Sequence, residues 1–154
     1  EWIRRPLEAA GTEWPVTAVS MGNPHAVIEV ADADTAPLTT VGAELERHPL
    51  FPNRANVGFV QVLAADRLRV RVWERGAGVT LACGTGACAA MVAARLWGQV
   101  AETAEVELDG GSLTIHWPGR GQPVTMTGPA TLVYWGSLPD WPAPRPASAW
   151  GGQF

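Results

Sequence analysis

The sequence predicts an α+β fold in which a barrel-like mixed sheet wraps a single central apolar helix. Three observations point there. Short runs of alternating or continuous apolar residues recur along the chain, about seven or eight in all, most of them paired across turn residues. One segment, "GTGACAAMVAARLW" (84–97), is apolar almost all the way round, and a helix apolar on every side is buried on every side. The composition is globular: 154 residues, 47% hydrophobic and 17% charged, enough for one domain with a real core.

Taken in order, "VTAVSM" (16–21) and "HAVIEV" (25–30) read as strands, separated by "GNP", which is turn chemistry. "TTVGAELERH" (39–48) reads as a short helix stopped by Pro49. "ANVGFVQVL" (55–63) and "RLRVRVWER" (67–75) flank "AAD" as a hairpin. The apolar helix follows, with Gly98 as its natural stop. "AEVELD" and "SLTIHW" form a second hairpin around Gly110 and Gly111, and "PVTMTG" and "ATLVYWG" (130–136) are read as the last two strands. Residues 138–154, "LPDWPAPRPASAWGGQF", form a Pro-rich tail outside the folded domain of 1–137.

The bulk numbers exclude several classes. A net charge of -4 without a basic block argues against a nucleic-acid partner. Arg95 interrupts the longest apolar run, so no membrane span is predicted. The start, "EWIRRPLEAAG", has no apolar core of a signal peptide, and Glu1 in first place suggests a piece of a longer protein. Cys83 and Cys88 are too poorly placed on one helix to pair, and Cys-x4-Cys alone is a weak metal signal. Two free thiols suit a reducing, cytoplasmic location.

The chemistry concentrates at "ACGTGAC". A helix N-terminus carries unpaired N–H groups and partial positive charge, so it binds anions and is expected to lower the pKa of an adjacent cysteine. Gly84 and Gly86 permit close approach of an anion to the backbone, and Thr85 adds a hydroxyl. A thiolate at Cys83 beside a bound carboxylate could attack a carbonyl, exchange disulfides or move a proton. Nucleophilic catalysis wants a histidine partner, which His25, His48 or His116 could supply from a distance. Disulfide exchange prefers Cys-x-x-Cys, which is absent. Proton transfer next to a carboxylate needs only a base, an anion hole and dry walls. Against all three stands an inert buried cysteine, the commonest state of a free thiol. Cys88, a turn further in, is read as a small core residue.

"MGNPHAV", "RANVGFVQV", "RVWERGAG", "LACGTGACAA" and "MTGPATLVYWG" occur here in that order. Together they resemble the C-terminal half of the diaminopimelate epimerases, over about 16–136. These enzymes interconvert LL- and meso-diaminopimelate without a cofactor, on the route to lysine and peptidoglycan. The resemblance implies two similar domains, each a sheet around a helix, each giving one acid/base cysteine to a shared cleft. Cys83 would be the cysteine of this half. The N–H groups of Gly84 and Thr85 would hold the reacting carboxylate, and Glu74 the reacting amino group. Asn23, Asn56 and Arg75 would hold the distal amino-acid end, and His25 would lie close to the catalytic cysteines. His48 and His116 match nothing and are left to the surface or a loop.

The resemblance also implies partners. They are a small amino-acid substrate, the N-terminal domain with the second cysteine, and a further copy of the chain as a candidate homodimer. No metal or cofactor is implied. The last strand, 129–137, would be shared with the N-terminal half. Rival readings are a sister isomerase of the same fold, proline-racemase-like or of the phenazine pathway, a non-catalytic carboxylate-binding module, and a thiol redox protein. A clamp of Asn23, Asn56 and Arg75 suits a long substrate with two amino-acid ends better than a proline-sized one.

Overall fold

The computed structural model describes residues 2–137. The first strands are β1 (Arg5–Ala9), β2 (Thr12–Ser20) and β3 (Pro24–Glu29). A π-turn over Leu38–Gly42 runs directly into the short helix α1 (Ala43–Glu46). Then come β4 (Asn56–Ala64), β5 (Arg67–Glu74), the two-residue β6 (Gly78–Val79) and the long helix α2 (Gly84–Leu96). The strands β7 (Thr103–Leu108), β8 (Gly111–His116) and β9 (Thr125–Thr127) follow.

All the strands join one nine-stranded mixed sheet in the order β1-β2-β3-β4-β5-β7-β8-β9, with β6 pairing β5. The series is open: among the described residues β1 and β9 end it and do not pair with each other. The α+β class therefore stands, as an open sheet with two helices rather than a closed ring of strands. Two neighbouring pairs are parallel, β3 with β4 and β5 with β7. A parallel pair needs a crossover long enough to return the chain, and here each crossover carries a helix. The first contains the π-turn and α1, the second α2.

The two helices cover opposite faces. The α2 face takes Val27, Val60, Leu68, Val70 and Val72 with Ala87, Ala90, Met91 and Ala94 of the helix. The other face packs Val16, Ala26, Ile28, Val57 and Phe59 against Leu38, Val41 and Leu45. This explains why "HAVIEV" and "NVGFVQVL" read as nearly continuous apolar runs: a strand covered on both faces has no polar side. Further along, β5 alternates. Leu68, Val70 and Val72 point to α2, while Arg69 and Arg71 point outward to Asp34 and Asp109. α2 itself is buried at Gly86, Ala87 and at every position from Ala89 to Ala94.

Several sequence expectations need correction. β1 was not expected. It forms a hairpin with β2 through Ala10 and Gly11, both at positive φ (50° and 70°), the conformation two-residue hairpin turns require. β6 was also unread. No strand forms over 130–136. That segment is irregular, and Leu132, Val133, Tyr134 and Trp135 are 67–87% exposed. It meets no strand edge, so it has neither a hydrogen-bond ladder nor a surface to bury its apolar side. The tail expected over 138–154 lies outside the described residues. No helix among the described residues is long and apolar enough to cross a membrane.

One glycine holds the first crossover tight to the sheet. A Cβ at Gly42 would stand 2.9 Å from Trp73 Cβ and 3.2 Å from Trp73 Cγ. Its φ of -60° is ordinary, so the need is for space. Overpacking costs about 1–3 kcal/mol, against a helix-propensity gain of at most about 1 kcal/mol. Gly42→Ala is therefore expected to destabilise the chain by about 1–2 kcal/mol. Urea denaturation checks it, and an unchanged or higher midpoint would show that the helix shifts freely.

Candidate active site

The parallel register of β3 and β4 sets His25 beside Asn56 at the N-terminal ends of both strands. β5 runs antiparallel to β4, with Val57 opposite Trp73, so its last residue Glu74 and the Arg75 that follows arrive at the same end of the sheet. The N-terminus of α2 opens there as well. Residues scattered from 23 to 85 in sequence thus converge because four element ends meet.

Cys83 is the N-cap of α2, with extended backbone (φ -138°, ψ 105°), and its Sγ accepts a hydrogen bond from the Gly86 amide at 3.3 Å. The thiol therefore occupies the capping role that serine or aspartate usually takes. Gly86 makes the room: a Cβ there would lie 3.1 Å from the Cys83 sulfur and 3.1 Å from Val72 Cγ2. Thr85 Oγ1 lies 3.7 Å from the sulfur. Gly84 and Thr85, earlier in the same first turn, have amides of the kind that a helix leaves without an intrahelical acceptor.

The thiol does not behave as the helix end alone predicts. Cys83 is 8% exposed, and burial pushes its pKa up, with the nearby Glu74 carboxylate adding to the effect. The hydrogen bonds from Thr85 and Gly86 oppose this without prevailing. Local reading of the helix N-terminus predicted the reverse, because it counts the dipole and omits desolvation. Cys88 also departs from expectation. It is half-buried at the rim of the α2 core rather than inside it, and burial raises its pKa too. Both thiols are free. Exposure therefore gives no ground for ranking Cys83 as the more accessible thiol.

A chain of polar contacts surrounds the sulfur. Asn23 Nδ2 donates to Thr85 Oγ1 at 3.3 Å, tying the β2–β3 turn to the helix mouth. Asn23 Oδ1 lies 3.1 Å from His25 Nε2, which makes Nε2 the donor and leaves Nδ1 as the acceptor in the neutral ring. His25 is 1% exposed, and its pKa falls to about 4, chiefly through burial. It is neutral at physiological pH. Asn56, 5% exposed, uses one donor and one acceptor within the fold: Nδ2 donates to the Pro24 carbonyl at 3.2 Å, and Oδ1 accepts from the Arg75 amide at 2.9 Å.

Glu74 accepts a short hydrogen bond from the Thr80 hydroxyl and acts electrostatically on both Cys83 and His25. Arg75 is exposed, with one guanidinium nitrogen donating to the Asn53 carbonyl at 2.9 Å. The structure thus brings together Asn23, His25, Asn56, Glu74, Arg75, Cys83, Gly84 and Thr85. His48 and His116 lie elsewhere. His48 follows α1, and His116 ends β8, half-buried against Thr103 rather than in a loop. Thr80 and Glu46, which grip the Glu74–Arg75 segment, escaped the sequence reading. Their partners lie across turns and elements, and no motif marks them. Among the described residues no three His, Cys, Asp or Glu side chains are grouped to hold a metal ion.

The arrangement offers a thiol, a neutral imidazole, a carboxylate and an exposed guanidinium around one helix N-terminus. That set suits proton transfer on an amphoteric substrate better than acyl transfer. Nucleophilic catalysis would want a histidine bonded to the thiol, and the contact that His25 Nε2 makes is with Asn23.

A family model described as diaminopimelate epimerase matches residues 17–133. A diaminopimelate epimerase of Microcystis aeruginosa is 56% identical over 134 residues, covering 87% of this chain and 48% of its own length. One of Aromatoleum aromaticum is 57% identical over 136 residues, covering 88% of this chain and 49% of its own. The chain therefore spans about half the length of the curated relatives it matches. Among solved structures, a phenazine biosynthesis protein of the PhzF family from Enterococcus faecalis aligns with a TM-score of 0.47 at 19% identity, over 67% of this chain and 38% of that one.

Proposed function

The chain belongs to the diaminopimelate epimerase family, and from that premise we propose that it is the C-terminal domain of a two-base, cofactor-independent epimerase interconverting LL- and meso-diaminopimelate. The observation that carries this reading is Cys83, a buried thiol capping α2, with the Glu74 carboxylate close by. In this reading residues 1–137 form the domain, its sheet curled around α2 as a barrel. The exposed apolar run at 132–135 is the part of 129–137 that an N-terminal domain would cover. The cytoplasm is the proposed location.

The substrate's α-carboxylate would sit at the Gly84 and Thr85 amides, where the N-terminal end of the helix favours negative charge. Its α-ammonium would pair with Glu74. That pairing has a consequence for the base. Glu74 helps to hold the Cys83 proton on, so an ammonium that neutralises Glu74 lowers the cost of forming the thiolate. The thiolate keeps the Gly86 N–H as a charge-assisted hydrogen bond. It removes the α-proton from one face, while a thiol of the N-terminal domain delivers a proton to the other. His25 stays neutral and orders Asn23 and Thr85. Asn23, Asn56 and Arg75 would hold the distal amino-acid end.

The deciding experiment joins this chain to its N-terminal half and follows LL-diaminopimelate by NMR in D2O. Appearance of α-deuterated meso form supports the reading, and a stable LL form rejects it. In that enzyme Arg75→Lys tests the distal clamp. A guanidinium grips a carboxylate with two parallel hydrogen bonds, and an ammonium cannot. The loss is expected at about 1.5–3 kcal/mol, roughly ten- to a hundredfold in kcat/KM. Kinetics close to the unsubstituted enzyme would make Arg75 a surface charge.

A further inference from the structure

Glu46, the last residue of α1, is a carboxylate on the face of the sheet opposite the helix that bears Cys83. It is 3% exposed, just under the surface, and a carboxylate taken out of water persists only where donors replace the lost hydration. Both of its oxygens are occupied. Oε2 accepts from the Trp73 indole N–H at 2.8 Å. Oε1 accepts from the Gly76 amide at 3.1 Å, with the Arg54 guanidinium at 3.5 Å. The acceptor pair therefore spans the chain from Trp73 to Gly76, and Glu74 and Arg75 are the two residues between its anchor points. The Glu46 backbone also accepts from the Ala55 amide at 3.0 Å, next to Asn56, whose side chain holds the Arg75 amide. Gly42 allows the helix to lie against Trp73 closely enough for this reach.

We propose that Glu46 is a positioning residue for the substrate grip: its carboxylate bridges Trp73 and Gly76 from behind the sheet and fixes the turn that presents Glu74 and Arg75 to the site. The proposal rests on the epimerase reading for the roles of Glu74 and Arg75, but the linkage itself can be tested without turnover. Both oxygens accept N–H donors, so an isosteric amide fails in either orientation: its NH2 group must face a donor. The Trp73 donor does most to keep the carboxylate ionised below the usual range, against the opposing effect of burial, helped by the Gly76 amide and by the nearby charges of Arg47, which caps α1, and Arg54 on the following loop. The bridge is therefore present at neutral pH and is lost as pH falls through that lowered value.

Two measurements test it. In 1H–15N spectra of the 154-residue chain, the Trp73 indole, Arg75 amide and Gly76 amide signals are expected to move together on acidification, with one shared midpoint below the ordinary carboxylate range. At neutral pH, Glu46→Gln is expected to displace the same three signals and leave the β7–β8 hairpin unmoved. Arg75 and Gly76 signals that ignore the Trp73 transition would overturn the proposal, whether or not the epimerase reading holds. In the enzyme joined to its N-terminal half, Glu46→Gln is expected to raise KM for diaminopimelate roughly tenfold with a smaller change in kcat, as for lost ground-state binding. Unchanged KM in an active enzyme would show that Glu46 only stabilises the fold. If Glu46→Gln fails to fold, the acid titration of the unsubstituted chain decides.

Discussion

Cys83→Ala, in the enzyme completed by its N-terminal half, is expected to lower kcat/KM by at least roughly a hundred- to ten-thousandfold, the range for removing a positioned acid or base. KM should change little, because in the proposed reading the carboxylate, amino and distal contacts are made by other groups. Cys88→Ala should leave both parameters close to those of the unsubstituted enzyme, since Cys88 lies within α2 rather than at its cap and burial raises its pKa, which keeps its thiol protonated beside Cys83. The pH profile carries the same signature. Burial and Glu74 raise the Cys83 thiol, so less thiolate is present at neutral pH than an ordinary cysteine would supply. The base must be deprotonated, so kcat/KM should rise with pH by about tenfold per unit until the thiol has titrated. His25, lowered to about 4, titrates far below this limb and cannot account for it. Steady-state assays from pH 6 to 10 check both points. A flat profile, or a Cys83→Ala enzyme of ordinary activity, would remove the thiol from the reaction.

What the sequence made legible depended on how local the signal was. The β4–β5 and β7–β8 hairpins could be read because β5, β7 and β8 alternate in character and the apolar run of β4 meets β5 across a short turn. α2 could be read because its apolar residues leave no polar face. β1 was missed because "RPLEA" mixes a proline with charges and buries only Leu7 and Ala9, so its five residues carry almost no periodic signal. The segment at 130–136 failed the other way. Alternation of apolar residues says that a strand would be favourable, and it says nothing of whether an edge is present to pair with. The site followed the same rule. Cys83, Gly84, Thr85, Glu74 and Arg75 lie in motifs, and the register of β3 with β4 brought His25 and Asn56 to them. The state of the Cys83 proton was misread because the helix end is a local feature and burial is not. Glu46 gives no local sign at all. Trp73 and Gly76, the partners that matter here, lie 27 and 30 residues away, and only the crossover that returns β4 beside β3 puts them within reach.

The 154-residue chain by itself is expected to leave LL-diaminopimelate uninverted. Inversion needs a base on one face of the α-carbon and an acid on the other. Cys83 sits at the mouth of one helix and can serve one face. Cys88 cannot serve the other, because it lies within α2 and its position is fixed relative to Cys83 by the helix itself. The proposed anion hole at the Gly84 and Thr85 amides suffers as well. Its donors are strong when water is excluded, and the residues around it, Thr85 and Arg75 among them, are exposed in the chain alone. A carbanion beside a carboxylate is then poorly stabilised, so exchange of the α-proton from a single face should also be very slow. NMR in D2O with the purified chain separates these outcomes, since α-deuteration and the meso form give distinct signals. Deuteration without meso product would identify Cys83 as one working base of a divided pair. Turnover to meso at an enzyme-like rate would place the second acid within these 154 residues, and the two-domain mechanism would fall.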